Sequence, residues 1–452
     1  MSIGIIGAGP SGLATSLFLD REVEVLEKAD HPGGHASSFK KEGFTFDLGP
    51  HIMFSKDKDI LKFMVDSLAD NVHQSRRNNK ISYKSRLIKF PFENDLGSLP
   101  RDDIFFCLKH FVDNPYKIKH SNPKNLKEWF LKIFGKGICE TYLFPYNEKI
   151  WNIPVEELSM VWADRIPNPD SDDVIKSAIG YGTEGYLHQL YYHYPLRGGY
   201  QAISDAWSSG CNVTYNFNVV SVTIKNSGIE VTSNNGEKRT FSTLFSTMPV
   251  WELAKIINVE VPKEVRAAID GLICNPMYIV SLGIKGKDKN KFTAIYFPES
   301  DFRVNRISYP KTFSIHNAPD GYFSIQADIT YLKGNPISNW SDEQILSHTI
   351  DGLVERGLIE HHDAVVLTDV KRMPHSYVVY DINYENNTTI IRNWFTSIGI
   401  HLIGRFSFFE YINVDGAVDR AIKIVSDFRD DDVTIQELLN IALKTVEKAK
   451  SL

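Results

Sequence analysis

The sequence has no apolar run of about 18 residues, the length a membrane-crossing helix needs, and so offers no membrane span. Cysteine is scarce. The four present, Cys107, Cys139, Cys211 and Cys274, are far apart and form no Cys-x-x-Cys pair. That spacing excludes a disulfide framework and a thiolate zinc site. Reduced thiols in a cytoplasmic protein with no metal are the expectation. Positive charge is not in excess either: 50 Lys and Arg stand against 56 Asp and Glu, a formal net charge of −6. This balance excludes a general binder of nucleic acid or anionic membrane, and any phosphate ligand must be met by local cations. A basic stretch followed by an apolar one is missing from the start of the chain, so secretion is not expected. Internal repeats and low-complexity tracts are absent.

The chain does have length and aromatic residues. Its 452 residues can bury a large core divided among two or three domains. The 20 Tyr, 27 Phe and 7 Trp supply core and, where a ligand binds, stacking surfaces. The most informative stretch is Ile3-Gly4-Ile5-Ile6-Gly7-Ala8-Gly9-Pro10-Ser11-Gly12-Leu13-Ala14, followed by Val23-Glu24-Val25-Leu26-Glu27-Lys28. It reads as a buried strand, a glycine turn, a helix, and a second strand closed by an acid. Gly7 permits the turn, Gly9 the close approach of a pyrophosphate, and Gly12 the packing of helix on strand. Pro10 and Ser11 open a helix whose N-terminus favours phosphate, and Glu27 stands where a carboxylate accepts from a ribose hydroxyl. Gly33-Gly34-His35 forms the next loop, and Phe39 to His51 reads as a hairpin feeding the turn Gly49-Pro50-His51.

Helical spacing marks 57–71 as amphipathic, while Arg76, Arg77, Lys80, Lys84, Arg86 and Lys89 read as a solvated charged face. Residues 96–190 look mainly helical and contain Asn147, Trp151, Trp162 and Arg165. Trp162 suits core packing, and Trp151, between Asn147 and Asn152, suits the wall of a wet cleft. Gly198-Gly199 precedes a helix over 201–208. Strands follow to about 250, Val220 among them. Between 262 and 395 strands dominate, at 278–283, 293–297, 313–316, 322–329 and 365–370, with one helix at 341–356. A buried strand then ends in Gly404-Arg405, and Asn413 and Asp415 stand at the start of a helix running to 428. The fold class is therefore α/β. It has a Rossmann-type dinucleotide domain built from residues 1–95, 191–255 and 396–430, an inserted helical domain over 96–190, and a mixed-sheet substrate domain over 256–395. A last helix covers 431–452.

The glycine pair after the ribose acid, with Asp-Leu-Gly-Pro-His at 47–51, resembles the opening of FAD proteins of the amine oxidase and protoporphyrinogen oxidase type. Over nearly the whole chain the sequence is similar to the UDP-galactopyranose mutases, closer to the longer eukaryotic-type enzymes. The resemblance is carried by Gly-Pro-His-Ile-Met-Phe at 49–54, Phe-Pro-Phe-Glu-Asn at 90–94, Tyr-Asn-Glu-Lys-Ile-Trp at 146–151 and Trp-Ala-Asp-Arg at 162–165. Ser-Thr-Met-Pro-Val at 246–250, Tyr-Phe-Pro-Glu at 296–299 with Arg306, and Gly-Arg-Phe at 404–406 with Tyr411 complete it. It implies a mutase that interconverts pyranose and furanose forms of a nucleotide-diphospho sugar without net redox change. In that family N5 of reduced FAD is the nucleophile at the anomeric carbon. Carried over residue by residue, it implies FAD binding at Gly7, Gly9, Pro10, Ser11, Gly12, Glu27, Lys28, Gly34, His35, Gly49, Pro50, Gly198, Gly199, Val220, Gly404, Arg405, Asn413 and Asp415. It makes Arg165 and Arg306 the diphosphate pair and His51 a neighbour of the flavin ring. Phe54, Phe90, Glu93, Asn147, Trp151, Tyr296, Tyr377 and Tyr411 line the substrate pocket, with Tyr380 or Tyr384 as alternatives to Tyr377.

Two departures stand out. Gly49-Pro50-His51 replaces the family's Gly-Gly-His and removes an N–H, so a redox-linked movement there would differ. Glu93 replaces an uncharged amide near the nucleotide base, which leaves both base and sugar open. No second dinucleotide fingerprint is visible, so an external reductant such as NAD(P)H is unassigned, as is the oligomeric state. The competing readings are an amine oxidase or desaturase, expected to have an apolar tunnel without paired arginines, and a flavin-bearing binding protein.

Overall fold

The computed structural model describes residues 2–450 apart from 20, 186–189, 290 and 429–432. Ile3–Ile6, with all four residues buried, is the middle strand of a five-stranded sheet. The order across that sheet is Ile400–Leu402, Thr243–Ser246, Ile3–Ile6, Val23–Leu26, Val213–Thr214, and every pairing is parallel. A parallel sheet has to be covered on both faces. Ile3 and Ile5 face a core shared with Leu13, Phe18, Trp207, Val418 and Leu438 on helices Pro10–Phe18, Gln201–Ser209, Val414–Ser426 and Ile435–Lys450. Ile6 and Leu26 face the opposite core, built with Val222, Leu253, Ile269 and Phe395. That side is closed by the antiparallel sheet Val219–Lys225, Gly228–Ser233, Lys238–Phe241 and by helices Val250–Ile256, Lys263–Asp270 and Tyr384–Ser397.

A seven-stranded sheet forms the second layer, in the order Val365–Val378, Cys274–Lys285, Tyr322–Thr330, Arg306–Ser308, Ala294–Tyr296, Asn79–Tyr83, Arg86–Lys89. Alternation along Cys274–Lys285 assigns its two faces. Tyr278, Val280 and Leu282 pack under helix Asp342–Glu355, while Met277 and Ile279 join Phe130, Phe134, Tyr142 and Trp151 of the helical segment. The functional cleft lies along this second face.

The structure corrects several expectations. Asn79–Tyr83 and Arg86–Lys89, read as part of the first cofactor segment, extend the seven-stranded sheet instead, through the parallel pairing of Asn79–Ile81 with Ala294–Tyr296. The stretch 313–316 is not a strand. Pro310 sits at the first position of the helical turn Pro310–Phe313, and a 3-10 turn follows at Ile315–Asn317. Helix Tyr384–Ser397 was hidden because its β-branched run Thr388-Thr389-Ile390-Ile391 favours a strand locally, whereas Tyr384, Thr388, Ile391 and Phe395 recur along one buried helical face. The strands expected at 278–283 and 365–370 run further, to Cys274–Lys285 and Val365–Val378. Between Asn275 and Met277 their register shifts, and Pro276 and Pro374 lie in this irregular stretch.

Candidate cofactor and substrate cleft

The glycine turn is shaped by contact as well as by conformation. A Cβ on Gly12 would lie 2.0 Å from the Gly7 carbonyl oxygen, so helix Pro10–Phe18 approaches its strand only with glycine there. Gly9 is the N-cap and supplies no side-chain cap, leaving the helix mouth to backbone groups. Gly34 and Gly404 close on this mouth, with ideal Cβ positions 3.5 Å from Gly9 Cα and 3.1 Å from Ser11 Cβ. Glu27 is buried and braces the turn, accepting from Ala8 N at 2.7 Å and Ala29 N at 2.9 Å. Neighbouring Lys28 is exposed. Val220 differs from expectation: its side chain is 44% exposed, whereas Val219 enters the core with Leu26 and Phe217. Strand alternation turns Val220 outward.

Asp47 ties the second turn to the third. It accepts from Ser38 Oγ at 2.6 Å, Tyr194 Oη at 2.9 Å and Tyr200 N at 3.0 Å, immediately beyond Gly198-Gly199. Burial pushes its carboxyl up to about 6 against these hydrogen bonds. Pro50 and His51 emerge from this anchored turn, and the His51 ring lies 5.2 Å from that of Tyr200. Burial, then repulsion by Arg405, lowers His51 to about 3, so its ring is neutral at ordinary pH. His35 is lowered to about 4 by the same two causes, and its Nε2 meets the His375 carbonyl at 2.9 Å. His51 Nδ1 and Arg405 Nε are buried without a partner among the described residues, as a site shaped for a further polar group leaves them. Asn413 stands at the N-cap position of helix Val414–Ser426 without a side-chain cap bond, and Asp415 lies in the first turn.

A cavity of about 220 Å³ is lined by Pro50, His51, Phe54, Tyr296, Arg306 and Asn413, bringing together residues far apart in sequence. Arg306 is opposite Asp328 in strand register and donates from Nε to Asp328 Oδ2 at 3.0 Å, with Nη2 on the same oxygen. Burial disfavours the guanidinium charge, but Asp328 together with Tyr377, Tyr296 and Tyr146 outweighs that and holds it well above its usual range. Trp151 is not the wet wall expected: it is 2% exposed, and its indole N–H donates to Asn147 Oδ1 at 3.2 Å. It packs edge-on against Trp162 (4.5 Å), Tyr377 and Tyr411 (both 5.7 Å). Arg165 is exposed, donates to the Tyr411 carbonyl at 2.6 Å and lies 5.2 Å from that residue's ring. The ring pair Tyr377 and Tyr411, 5.5 Å apart, links the neighbourhoods of the two arginines.

Of the three tyrosines left open by the sequence, Tyr377 stands beside Arg306 and Tyr411. The Tyr380 hydroxyl accepts from Tyr411 N at 2.7 Å, and that of Tyr384 donates to the Phe409 carbonyl at 2.8 Å. Phe90 lies 5.2 Å from the Tyr296 ring. Glu93 is buried in the turn Phe92–Asn94, outside the lining of this cavity. Sequence reasoning missed three residues. Arg77, assigned to a solvated face, is half-buried, lines the cavity and lies 4.7 Å from the Phe54 ring. Asp328 carried little signal, because it falls on the polar phase of the alternating strand Phe323-Ser324-Ile325-Gln326-Ala327-Asp328-Ile329, where an acid reads as solvent-facing. Lys149 was visible only as a member of the stretch 146–151, with no sign of its contacts: its Nζ is held by the carbonyls of Phe297, Glu299, Phe302 and Val304 at 2.6–2.8 Å, fixing the loop between Tyr296 and Arg306.

Comparison with known proteins bears on the fold and the family. The fold matches a crystal structure of reduced UDP-galactopyranose mutase with a TM-score of 0.86, at 24% identity over 98% of both chains. It also matches a fatty acid isomerase from P. acnes, described as producing CLA, with a TM-score of 0.66, at 13% identity over 94% of this chain and 98% of that one. Among curated sequences, the 4,4'-diapophytoene desaturase of Staphylococcus haemolyticus (strain JCSC1435) is 45% identical over 60 residues. That match spans 13% of this chain and 12% of the desaturase. The flavin containing amine oxidoreductase family matches residues 11–424. Membership of that family implies FAD, and the residues fit it: a glycine-walled helix mouth, a buried acid at the end of the second strand, and buried nitrogens on His51 and Arg405 without a partner among the described residues. With nine-tenths of its length covered by the match, the chain belongs to the family of flavin containing amine oxidoreductases.

Proposed function

We propose that this enzyme is a flavin-dependent mutase that interconverts the pyranose and furanose forms of a nucleotide-diphospho sugar. The observation that carries the proposal is the cleft itself. An oxidase or desaturase acting on an apolar substrate would need an apolar tunnel, whereas this cavity sets Arg306, Arg77, Asn79 and Tyr296 among apolar walls that include Ile52, Phe54 and Phe313. The full-length fold match to a UDP-galactopyranose mutase supports the same choice.

Reduced FAD bound in the cleft would supply a nucleophile for the anomeric carbon, and no electrons would be lost over the cycle. The work of the chain is to manage the departing diphosphate. Arg306, fixed on Asp328 by Nε and Nη2, keeps its third nitrogen, Nη1, for phosphate oxygens and stays charged. Burial raises the Tyr377 phenol, which therefore remains a neutral O–H donor beside that guanidinium. His51 is neutral, so its Nδ1 can hydrogen-bond a cofactor or sugar group without adding charge. Arg165, 5.2 Å from the Tyr411 ring, would be the second cation.

Dithionite-reduced protein incubated with a panel of UDP-, dTDP- and GDP-hexoses should yield a furanose product by chromatography, and oxidised protein none. Equal product in both states would exclude the flavin nucleophile, and oxygen consumption with a more oxidised product would establish the oxidase reading. Arg306→Ala should greatly weaken nucleotide binding in calorimetry. Asp328→Asn should weaken it by roughly 30-fold, about the 2 kcal/mol of a charge-assisted hydrogen bond.

A further inference from the structure

A second cavity, about 370 Å³ in volume, adjoins the one just described, and Arg77 and Asn79 line both. Arg76, Lys80 and Lys89 add three more cations, and among the described residues Glu184 is the one carboxylate in the lining. A protein of net charge −6 has concentrated four cations against one acid at the outer side of its cleft. The backbone explains the clustering. Strand Val72–Arg76 ends on Tyr191, Arg77 N donates to the Leu190 carbonyl at 2.8 Å, and Asn79–Tyr83 then enters the seven-stranded sheet, so one short bend delivers residues 76–80 to the cavity wall. Phe90 and Pro91 complete an apolar side.

The groove already holds an anion, one belonging to the chain. The Glu184 carboxylate sits between Arg76 Nη2 at 2.8 Å and Lys89 Nζ at 3.1 Å. Burial works against its charge, yet the hydrogen bonds from Arg76 and Lys89 keep its carboxyl below the usual range. Arg76 is exposed and Glu184 and Lys89 are half-buried, so these ion pairs are only partly desolvated, weak and open to exchange with a stronger anion.

We propose that this groove is an outer binding site for the diphosphate of the incoming nucleotide sugar, in which phosphate oxygens replace the Glu184 carboxylate at Arg76 and Lys89 before the ligand passes Arg77 and Asn79 to Arg306. The proposal rests on the mutase reading for the identity of the ligand. The chemistry of the groove, recognition of a diphosphate, does not depend on turnover. Clustered cations beside a low-dielectric wall raise the local concentration of an anionic substrate, an effect that acts on capture and fades with salt.

The test has an equilibrium arm and a kinetic arm on the FAD-loaded protein. In calorimetry with inorganic pyrophosphate, Arg306→Ala should remove the inner site and leave a salt-sensitive outer one, and adding Arg76→Ala and Lys89→Ala should abolish that remainder. No pyrophosphate binding in the wild type, or a remainder indifferent to Arg76 and Lys89, would overturn the outer site whatever the turnover assay shows. In the kinetic arm, Arg76→Ala/Lys89→Ala should lower kcat/KM for the nucleotide sugar about tenfold at low salt and leave kcat unchanged, the gap closing at high salt. Glu184→Gln should raise kcat/KM about threefold by removing the competing carboxylate. Dithionite as reductant keeps NAD(P)H, another diphosphate, out of this arm. If instead the substitutions slow only flavin reduction by NADPH, the groove serves the reductant and the proposal falls. Turnover absent in every variant and in the wild type would dispose of the mutase reading alone, with the pyrophosphate arm still deciding the groove.

Discussion

At the scale of single residues, His51 and His35 show how burial converts an ordinary side chain into a site group. A free imidazole titrates near 6.5, whereas His35 is lowered to about 4 and His51 to about 3. Both face Arg405, and His51 also feels Arg306. Below 6.5 the unfolded chain takes up a proton at each ring, and the folded chain does not until pH approaches 4 or 3. The stability each neutral ring contributes is therefore fully present above 6.5 and is lost as pH falls toward those values. Between pH 6.5 and about 5.5 the loss is about 1 kcal/mol for each histidine. Urea unfolding of apoprotein at these two pH values should show the drop, and His51→Gln should remove about half of it. An unchanged pH dependence in that variant would mean that the His51 ring is solvated. The same scale shows what a sequence can and cannot reveal. Arg306 and Tyr296 were legible because each lies in a short recognisable stretch. Arg77 was not, since a run of like charges carries no sign of which member turns inward.

At the scale of elements, the strand, turn and helix at the start of the chain were fully legible, because each glycine there answers a local demand. Gly12 is the strictest: its added Cβ would collide with backbone, the Gly7 oxygen, which cannot swing aside like a side chain. Gly12→Ala should thus force helix Pro10–Phe18 off its strand and lower the flavin absorbance per mole of purified protein by about tenfold or more, an affinity loss of about 1.4 kcal/mol per decade. Full flavin content in Gly12→Ala would show that the helix can shift without cost. Elements whose form depends on distant partners were read poorly. Tyr384–Ser397 carries a strand-like local composition and becomes a helix because Tyr384, Ile391 and Phe395 have two separate cores to fill. Strand Val365–Val378 continues past Pro374 because its neighbour shifts register around Pro276, and Tyr377 reaches the cleft from that irregular stretch. No local pattern records a pairing with a strand ninety residues away.

At the scale of the whole molecule, each layer is assembled from both ends of the chain. The parallel sheet takes strands beginning at residues 3, 23, 213, 243 and 400, and the seven-stranded sheet joins 79–89 to residues 274–378. Contiguous domain boundaries fit such a chain badly, and this is why the strand pair at 79–89 was assigned to the wrong layer. The interleaving also gives the last helix, Ile435–Lys450, a role beyond its position. Leu438, Leu439, Ala442 and Val446 are buried in the same core as Leu13 and Phe18 of the glycine-turn helix and Trp207 of the helix after Gly198-Gly199. Lys450 Nζ donates to the Ser67 carbonyl at 2.5 Å. Two of the elements that form the cofactor cleft are thus backed by the chain's final turns, although no residue of that helix lines the cleft. Removing residues 435–450 should uncover this core and destabilise the protein by on the order of 5 kcal/mol, from the burial of three large side chains and an alanine. The loss should appear as a lower urea midpoint together with weaker flavin retention, since the glycine-turn helix loses its backing. If flavin is retained at wild-type affinity while the midpoint falls, the parallel sheet alone positions the turn, and the terminal helix serves stability without reaching the site.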